Sequence, residues 1–532
     1  MGKITSKVKE KEYSRNTDFY KFTATIVLGI LLVGATVYIN TMTFQNQTSA
    51  SRNNLNIQPI KEVPITQLLP SSAPTLYPFG LAGFTLLNPS PPYKAYTDFI
   101  NQSGAKLISH SVRWLDIEPV KGEYNFESRE GTWLSVAIPE YDQYCRRNDM
   151  QCTILFGNPP DWAHEKAGTG SDCLPIDEED FDAMADAAAE VVKRFGSTTS
   201  GLQILNEPDF AHCYGGYDDQ NQNGQIDYKD YALIVKKIYQ AIKEVDPSYP
   251  VLVGRFASDP SFNQHSQLNK DRDGTKINLI DFLPQFLSYS QQELGGQYFD
   301  YLDIHYYEGS HNHSFEPFHS KDSYGEGGGG IRGKTFWARD LLTQYGGEDI
   351  PIIYSEIGYA TYGYPETQTY LGRQAEEVFK LYAQGLSAGA KSLSWYCIGD
   401  FSTACVRTTP SESAFSLRLL DGSSNNNPPL TPRPSYRAYQ AIAKELKDTR
   451  YNDVDDTDGI EGYLFETDEN NKEVLWSRSS SPVEKVFTTS SLHMYSAVGE
   501  EENIQDGETD DLDGQKNGSI TISISSPTLI VW

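Results

Sequence analysis

Two glutamates stand at the ends of short apolar runs. Glu207 follows LQILN (202–206) in Asn206-Glu207-Pro208, and Glu356 closes PIIYSE (351–356). Two carboxyls can cleave an acetal together when one is protonated and the other ionised. The first assists the leaving oxygen and the second attacks carbon. Retention of configuration requires them about 5–5.5 Å apart. Mutual repulsion and unlike neighbours are what separate two such acidities. A single glutamate at a strand end is ordinarily a solvated acid or an ion-pair partner. Two of them at opposed strand ends, one preceded by Asn, form a candidate catalytic pair.

Opposed strand ends require a particular scaffold. Candidate strands are GLAGFTLL (80–87), KLISHSVR (106–113), CTILFG (152–157), LQILN (202–206), VLVG (251–254), YLDIHYY (301–307), PIIYSE (351–356) and SLSWYC (392–397). Helical patterns fall between many of them, such as 181–195, 228–245 and 375–388, and another at 435–446 follows the eighth. Eight such units predict an α/β fold, a (β/α)8 TIM barrel spanning 76–447. An open doubly wound sheet is the rival, but no Gly-rich phosphate turn opens the first unit. In a barrel the fourth and seventh strands face each other, so Glu207 and Glu356 share one mouth. The long connections 158–180, 207–226 and 308–333 follow strands and fall at that face. After Lys447 short strand-like pieces alternate with Asp, Asn and Gly turns, which predicts a small C-terminal β-sandwich domain at 448–532.

With these residues in place the chain resembles the large clan of retaining (β/α)8-barrel glycoside hydrolases, clan A, from about residue 76 to 446. The resemblance makes Glu207 the acid/base, Asn206 a ligand of the sugar 2-hydroxyl and Glu356 the nucleophile. It implies substrate-site roles for Arg113 in SVRW, His305 and Tyr307 in DIHYY, and Trp395 on the eighth strand. Arg113 and Tyr307 are expected beside the nucleophile, and Trp395 as the floor under the reacting sugar. Trp162 in PPDWA resembles a Trp of the β-xylosidase and α-iduronidase-like branch. No cofactor is implied for catalysis, and the implied partner is an oligo- or polysaccharide. Tyr306 is expected to point away from Tyr307, because strand neighbours alternate faces. A carbohydrate-binding protein on an inactive barrel and a transglycosidase with the same glutamates are the alternatives.

One loop suggests a metal. Residues 219–230, DQNQNGQIDYKD, place oxygen-bearing side chains at positions 1, 3, 5, 9 and 12 (Asp219, Asn221, Asn223, Asp227, Asp230). Gly224 takes the turn at position 6, and Gln225 offers its backbone carbonyl. The pattern resembles a dockerin-type calcium loop and predicts a structural Ca2+. The alternative is a polar surface turn.

The ends of the chain and its charge bear on location. Phe22 to Met42 carry no charge, and six Lys/Arg against three acids precede them. Twenty-one helical residues span about 32 Å, enough for a bilayer core. The expectation is a cytoplasmic tail at 1–21, a transmembrane anchor at 22–42, a linker at 43–75 and an extracellular catalytic domain, with membrane contact through the N-terminal helix. A cleaved signal peptide is the rival. The 532 residues carry 44 Lys+Arg against 72 Asp+Glu, a formal net charge of −28, which disfavours nucleic acid as a partner. Six Cys (145, 152, 173, 213, 397, 405) allow up to three bridges. The candidate pairings are 145–152, 173–213 and 397–405. Asn46, Asn101, Asn312 and Asn517 lie in glycosylation sequons.

Overall fold

The structure is a computed structural model of the whole chain. It describes residues 76–84, 94–126, 144–163, 176–209, 228–257, 269–270, 276–277, 279–308, 329–359, 368–399, 418–421, 429–456, 459–479 and 481–532. The chain divides into two compact units, Met1–Gln67 and Leu68–Trp532, and every described residue belongs to the second. The tail, anchor and linker expected at 1–75 therefore lie outside the described residues. Among the described residues no helix is long and apolar enough to cross a membrane.

All eight expected strands form, and they close into one parallel barrel in sequence order. They are β1 (Phe79–Phe84), β2 (Leu107–Arg113), β3 (Gln151–Gly157), β4 (Gly201–Ile204), β5 (Val251–Phe256), β6 (Tyr301–Glu308), β7 (Ile352–Tyr359) and β8 (Ser392–Tyr396). Their near-continuous burial, complete along β4 and β5, is what a parallel sheet covered on both faces demands. The surrounding helices are α1 (Lys94–Ser103), α2 (Phe181–Phe195), α3 (Tyr228–Val245), α4 (Leu279–Gln292), α5 (Gly330–Gln344), α6 (Gln368–Ser387) and α7 (Pro434–Leu446). In α2 the Ala-rich stripe packs inward, and Lys193 and Arg194 complement the dipole of the last turn. Pro434 opens α7, where its missing N–H costs nothing.

The barrel interior is layered. At the bottom Leu76, Leu107, Leu252, Tyr301 and Ile353 form an apolar plug. Above it runs a hydrogen-bonded belt. Ser109 Oγ donates to Gln203 Oε1 (2.9 Å), Gln203 Nε2 to Asp303 Oδ2 (2.7 Å), and the Ser355 amide to Asp303 Oδ1 (2.8 Å). The third layer is the mouth, where the candidate site lies. Around the barrel, Cys145 and Cys152 form a disulfide that ties β3 to the helical turn before it. Cys397 is disulfide-bonded too, but Cys405, its expected partner, lies outside the described residues, as do Cys173 and Cys213.

The C-terminal part is a two-sheet sandwich. Its strands are β9 (Arg450–Asp455), β10 (Ile460–Glu466), β11 (Asn471–Ser477), β12 (Val483–Phe487), β13 (Ser491–Ser496), β14 (Glu501–Gln505), β15 (Ile520–Ile524) and β16 (Thr528–Val531). Six form one antiparallel sheet, and β12 pairs with β15 in the other. Both sheets contribute to a separate small core that includes Leu475, Phe487, Ile522 and Ile530. The outer face of the larger sheet packs on the barrel. Val474 and Trp476 belong to the main core, and Gln384 of α6 donates to Glu461 of β10 (3.0 Å). Strands β9 and β14 do not stand out in the sequence, because both are largely exposed and rich in acidic residues.

Candidate active site

Glu207 follows β4 in a sharp turn. Leu205 and Glu207 both have positive φ, 59° and 47°, a conformation that costs a non-glycine residue about 1–3 kcal/mol and persists where surroundings enforce it. Two bonds enforce it here. The Leu205 amide donates to the Phe156 carbonyl (2.8 Å), and the Ala257 amide donates to buried Asp209 (3.1 Å). Asn206 sits half-buried between the two strained residues.

Glu356 owes its direction to a bulge. Between Ile353 and Glu356 β7 advances three residues while β6 advances two, from Asp303 to His305. Between Tyr354 and Ile357 it again advances three against two on β8. The extra residue lets Ser355 and Glu356 both face the barrel interior, which strict alternation would forbid. Strand β5 has the same device. Gly254 and Phe256 pair with the consecutive residues Asp303 and Ile304, so Arg255 is extra, with φ 50°. Gly254 has φ 114°, and a Cβ there would lie 2.5 Å from the Asp303 carbonyl, so only glycine permits the approach.

These bulges gather the charged groups. His305 Nδ1 lies 2.9 Å from Glu207 Oε1 and 3.5 Å from Glu356 Oε2. One oxygen of each glutamate and a His305 ring nitrogen all lie within 4.8 Å of one another. The buried Arg255 guanidinium forms an ion pair with Glu356 Oε1, and its Nε–H donates to His305 Nε2 (3.2 Å). Tyr307 Oη donates to Glu356 Oε2 (2.5 Å). Both Glu356 oxygens therefore accept, one from a cation and one from a phenol, as suits a carboxylate nucleophile.

Burial, reinforced by Arg255 and Lys334 against the pull of Glu356, lowers the His305 pKa to about 3, so the imidazole is neutral. Because Nε2 accepts from Arg255, the proton belongs on Nδ1, which donates to Glu207 Oε1. Lys334 of α5, itself buried, donates to the His305 carbonyl (2.8 Å) and pins the strand from behind. Below, burial raises the Asp303 pKa to about 6 against the opposing pull of Arg255, Ser355 and Gln203.

The structure thus brings together Glu207, His305, Tyr307 and Glu356, and it corrects three placements. Arg113 ends β2 in a two-pronged ion pair with Asp116 (2.7 and 2.8 Å), and the guanidinium on Glu356 comes from Arg255. Sequence reasoning stopped its fifth strand at Gly254; a glycine inside a strand was the available sign of a bulge. Trp395 is fully buried in the main core, opposite Ile357. It therefore faces the helices, and the inward aromatic is Tyr396, edge-on to Tyr307 at 6.3 Å. Trp162 packs edge-on to Trp114 at 5.2 Å, donates to the Glu118 carbonyl (3.0 Å) and carries Lys121 over its ring, so it braces the connection after β2. Tyr306 is buried and its hydroxyl bonds Glu308, away from Tyr307 as expected.

Glu207, His305 and Glu356 are close enough to hold an ion. The Arg255 charge already on Glu356 opposes a second cation, and the Nδ1 proton directed at Glu207 removes His305 as a ligand on that side. Of the calcium-loop residues, Asp219, Asn221, Asn223 and Gln225 lie outside the described residues, and Asp230 is buried in the first turn of α3.

No family model matches the chain, and no curated protein matches it. Solved structures do share its fold. A family 39 glycoside hydrolase from Bacteroides cellulosilyticus is 18% identical, with TM-score 0.59 over 86% of this chain and 82% of that one. The family 39 enzyme from Xanthomonas axonopodis is 13% identical, with TM-score 0.53 over 86% and 94%. A family 30 endoxylanase from Clostridium papyrosolvens is 13% identical, with TM-score 0.50 over 86% and 97%. The chain shares with these structures a closed eight-stranded parallel barrel.

Proposed function

We propose that the chain is a glycoside hydrolase acting with retention on an oligo- or polysaccharide. The observation that carries this reading is the approach of the Glu207 and Glu356 carboxyls, with oxygens within 4.8 Å and unlike partners. Glu356, held by Arg255 and Tyr307, attacks the anomeric carbon while Glu207 delivers its carboxyl proton to the departing oxygen. A glycosyl ester on Glu356 results. Glu207, now a carboxylate and still bonded to His305, removes a proton from water, and that water cleaves the ester. The two steps together return the pair to its starting protonation. Neutral His305 keeps Glu207 pointed at the leaving group without taking the proton itself, since its own basicity is too low.

Two further readings belong to the same proposal. The uncharged stretch 22–42 anchors the enzyme with its barrel outside the cell, and the loop at 219–230 holds a structural calcium. Membrane fractionation after high-salt and carbonate washing tests the first. Terbium luminescence, with and without Asp219→Ala, tests the second.

A panel of aryl glycosides and polysaccharides, followed by NMR of the first-formed anomer, tests the activity. Retained configuration is expected. Glu356→Ala is expected to abolish turnover, and Glu207→Ala to spare activated aryl glycosides more than natural substrates. Inverted product, or full activity of either variant on a polysaccharide, overturns the assignment. Product analysis at high acceptor concentration separates hydrolysis from transglycosylation.

A further inference from the structure

Far from the barrel mouth, three charged side chains meet inside the sandwich. Glu473 of β11 shares a face with Leu475, and Lys485 of β12 shares a face with Phe487. Leu475 and Phe487 both lie in the sandwich core, so Glu473 and Lys485 enter the space between the two sheets from opposite sides. Asp455 reaches the same point from the end of β9. Lys485 Nζ lies 2.6 Å from Asp455 Oδ2, and 2.5 and 2.6 Å from the two Glu473 oxygens. Its ammonium also stands 5.1 Å over the Phe487 ring. The side chains are 17%, 20% and 4% exposed for Lys485, Asp455 and Glu473.

The backbone makes room for this meeting. Gly462 of β10 pairs with Asp455 on one side and Leu475 on the other. A Cβ at Gly462 would lie 2.5 Å from Glu473 Oε1 and 3.2 Å from Asp455 Cβ. The Glu473 carboxyl and the Asp455 Cβ thus crowd the volume that a side chain would fill, and one primary amine lies between the two carboxyls.

We propose that Lys485 and Asp455 form an intramolecular amide, with Glu473 as the proton shuttle, and that this bond joins the two sheets of the sandwich. Glu473 takes a proton from the ammonium and frees the Nζ lone pair. Nζ adds to Asp455 Cγ, the second Nζ proton passes to an Asp455 oxygen, and Glu473 returns its proton to the same oxygen. The C–O bond breaks, water leaves and an Nζ–Cγ amide remains. One positive and one negative charge vanish together, and Glu473 ends as it began. Two effects favour this condensation, which is unfavourable in open water. Desolvation penalises the ion pair and not the neutral amide, and fixed contact supplies a high effective concentration of amine. Burial also raises the Glu473 pKa, which fits it to exchange a proton with an amine.

The purified full chain decides the matter by mass spectrometry after denaturation and thiol reduction. The expected mass is one water below that of the sequence. Trypsin is expected to leave the chain uncut after Lys485 and to yield a branched species joining residues 451–472 to 479–516. Lys485→Arg and Glu473→Gln, each checked for folding by circular dichroism, are expected to give linear peptides only. Unbranched 451–472 and a cleaved Lys485 in the wild type overturn the proposal and leave an ion cluster. A lost water mapping elsewhere, such as a succinimide at Asp506-Gly507, counts equally against it. A branched peptide from folded Glu473→Gln overturns the shuttle role.

Discussion

Asp303→Asn isolates the cost of one buried acid. Asp303 has no exposure, and burial carries its pKa from the ordinary value of 3.8 to about 6 despite Arg255, Ser355 and Gln203. A folded pKa above the unfolded one means that the native state binds more protons between those two values. Stability then falls as pH rises through that window. That rise corresponds to ~3 kcal/mol, fully expressed above about pH 6.5 and absent below about pH 3.5. Asparagine does not titrate, and its carbonyl can still accept from the Ser355 amide. The assay is urea denaturation of wild type and Asp303→Asn from pH 3.5 to 7.5, followed by far-UV circular dichroism. Titrations common to both proteins cancel in the difference. Wild-type stability relative to the variant is expected to decline by ~3 kcal/mol as pH rises from 3.5 to 6.5. Parallel profiles, or a relative gain for wild type on raising pH, would refute the reasoning.

The remaining expectations concern the mouth and its walls. Tyr307→Phe removes one hydrogen bond to a charged acceptor, worth ~1.5–3 kcal/mol, so kcat/KM on an aryl glycoside is expected to fall ~10- to 100-fold with the fold intact. Arg255→Met strips the cation from Glu356 and Asp303 at once, and thermal or chemical denaturation at pH 7 is expected to register a loss of about 3–5 kcal/mol. Trp395→Ala empties a core site and is expected to cost about 3–5 kcal/mol of stability. Tyr396→Ala is expected to raise KM with little change in melting temperature, and the reverse pattern would return the sugar-facing role to Trp395.

Much of this architecture can be read from residue patterns. Every barrel strand is an apolar run, because parallel strands are buried on both faces, and the two glutamates end strands four and seven, whose C-terminal ends share one mouth. His305 and Tyr307 follow from simple alternation along β6. Alternation fails where β5 and β7 bulge, since an inserted residue changes which side chains face inward without leaving a compositional trace. Arg255 was invisible for that reason, and only Gly254 hinted at it. Trp395 misleads differently: an aromatic near a strand end suits a sugar platform, but parity with Leu393 assigns it to the helix side. Arg113 had the right residue type at a plausible strand end, yet its guanidinium pairs with Asp116 one turn later. In the sandwich β9 and β14 escape because edge strands keep charged residues in place of an apolar stripe.

The polar belt below the mouth also bears on how the barrel closes during folding. Gln203 and Asp303 satisfy each other only when β4, β5 and β6 sit at one relative offset. A strand docked one residue out of step would leave a carboxylate and a primary amide facing hydrocarbon, each without its donor or acceptor. Apolar side chains alone tolerate such slippage, since leucine and isoleucine pack acceptably in several offsets. The belt therefore penalises miscounted barrels, and the offset it favours sets the register of the strands that carry the two glutamates.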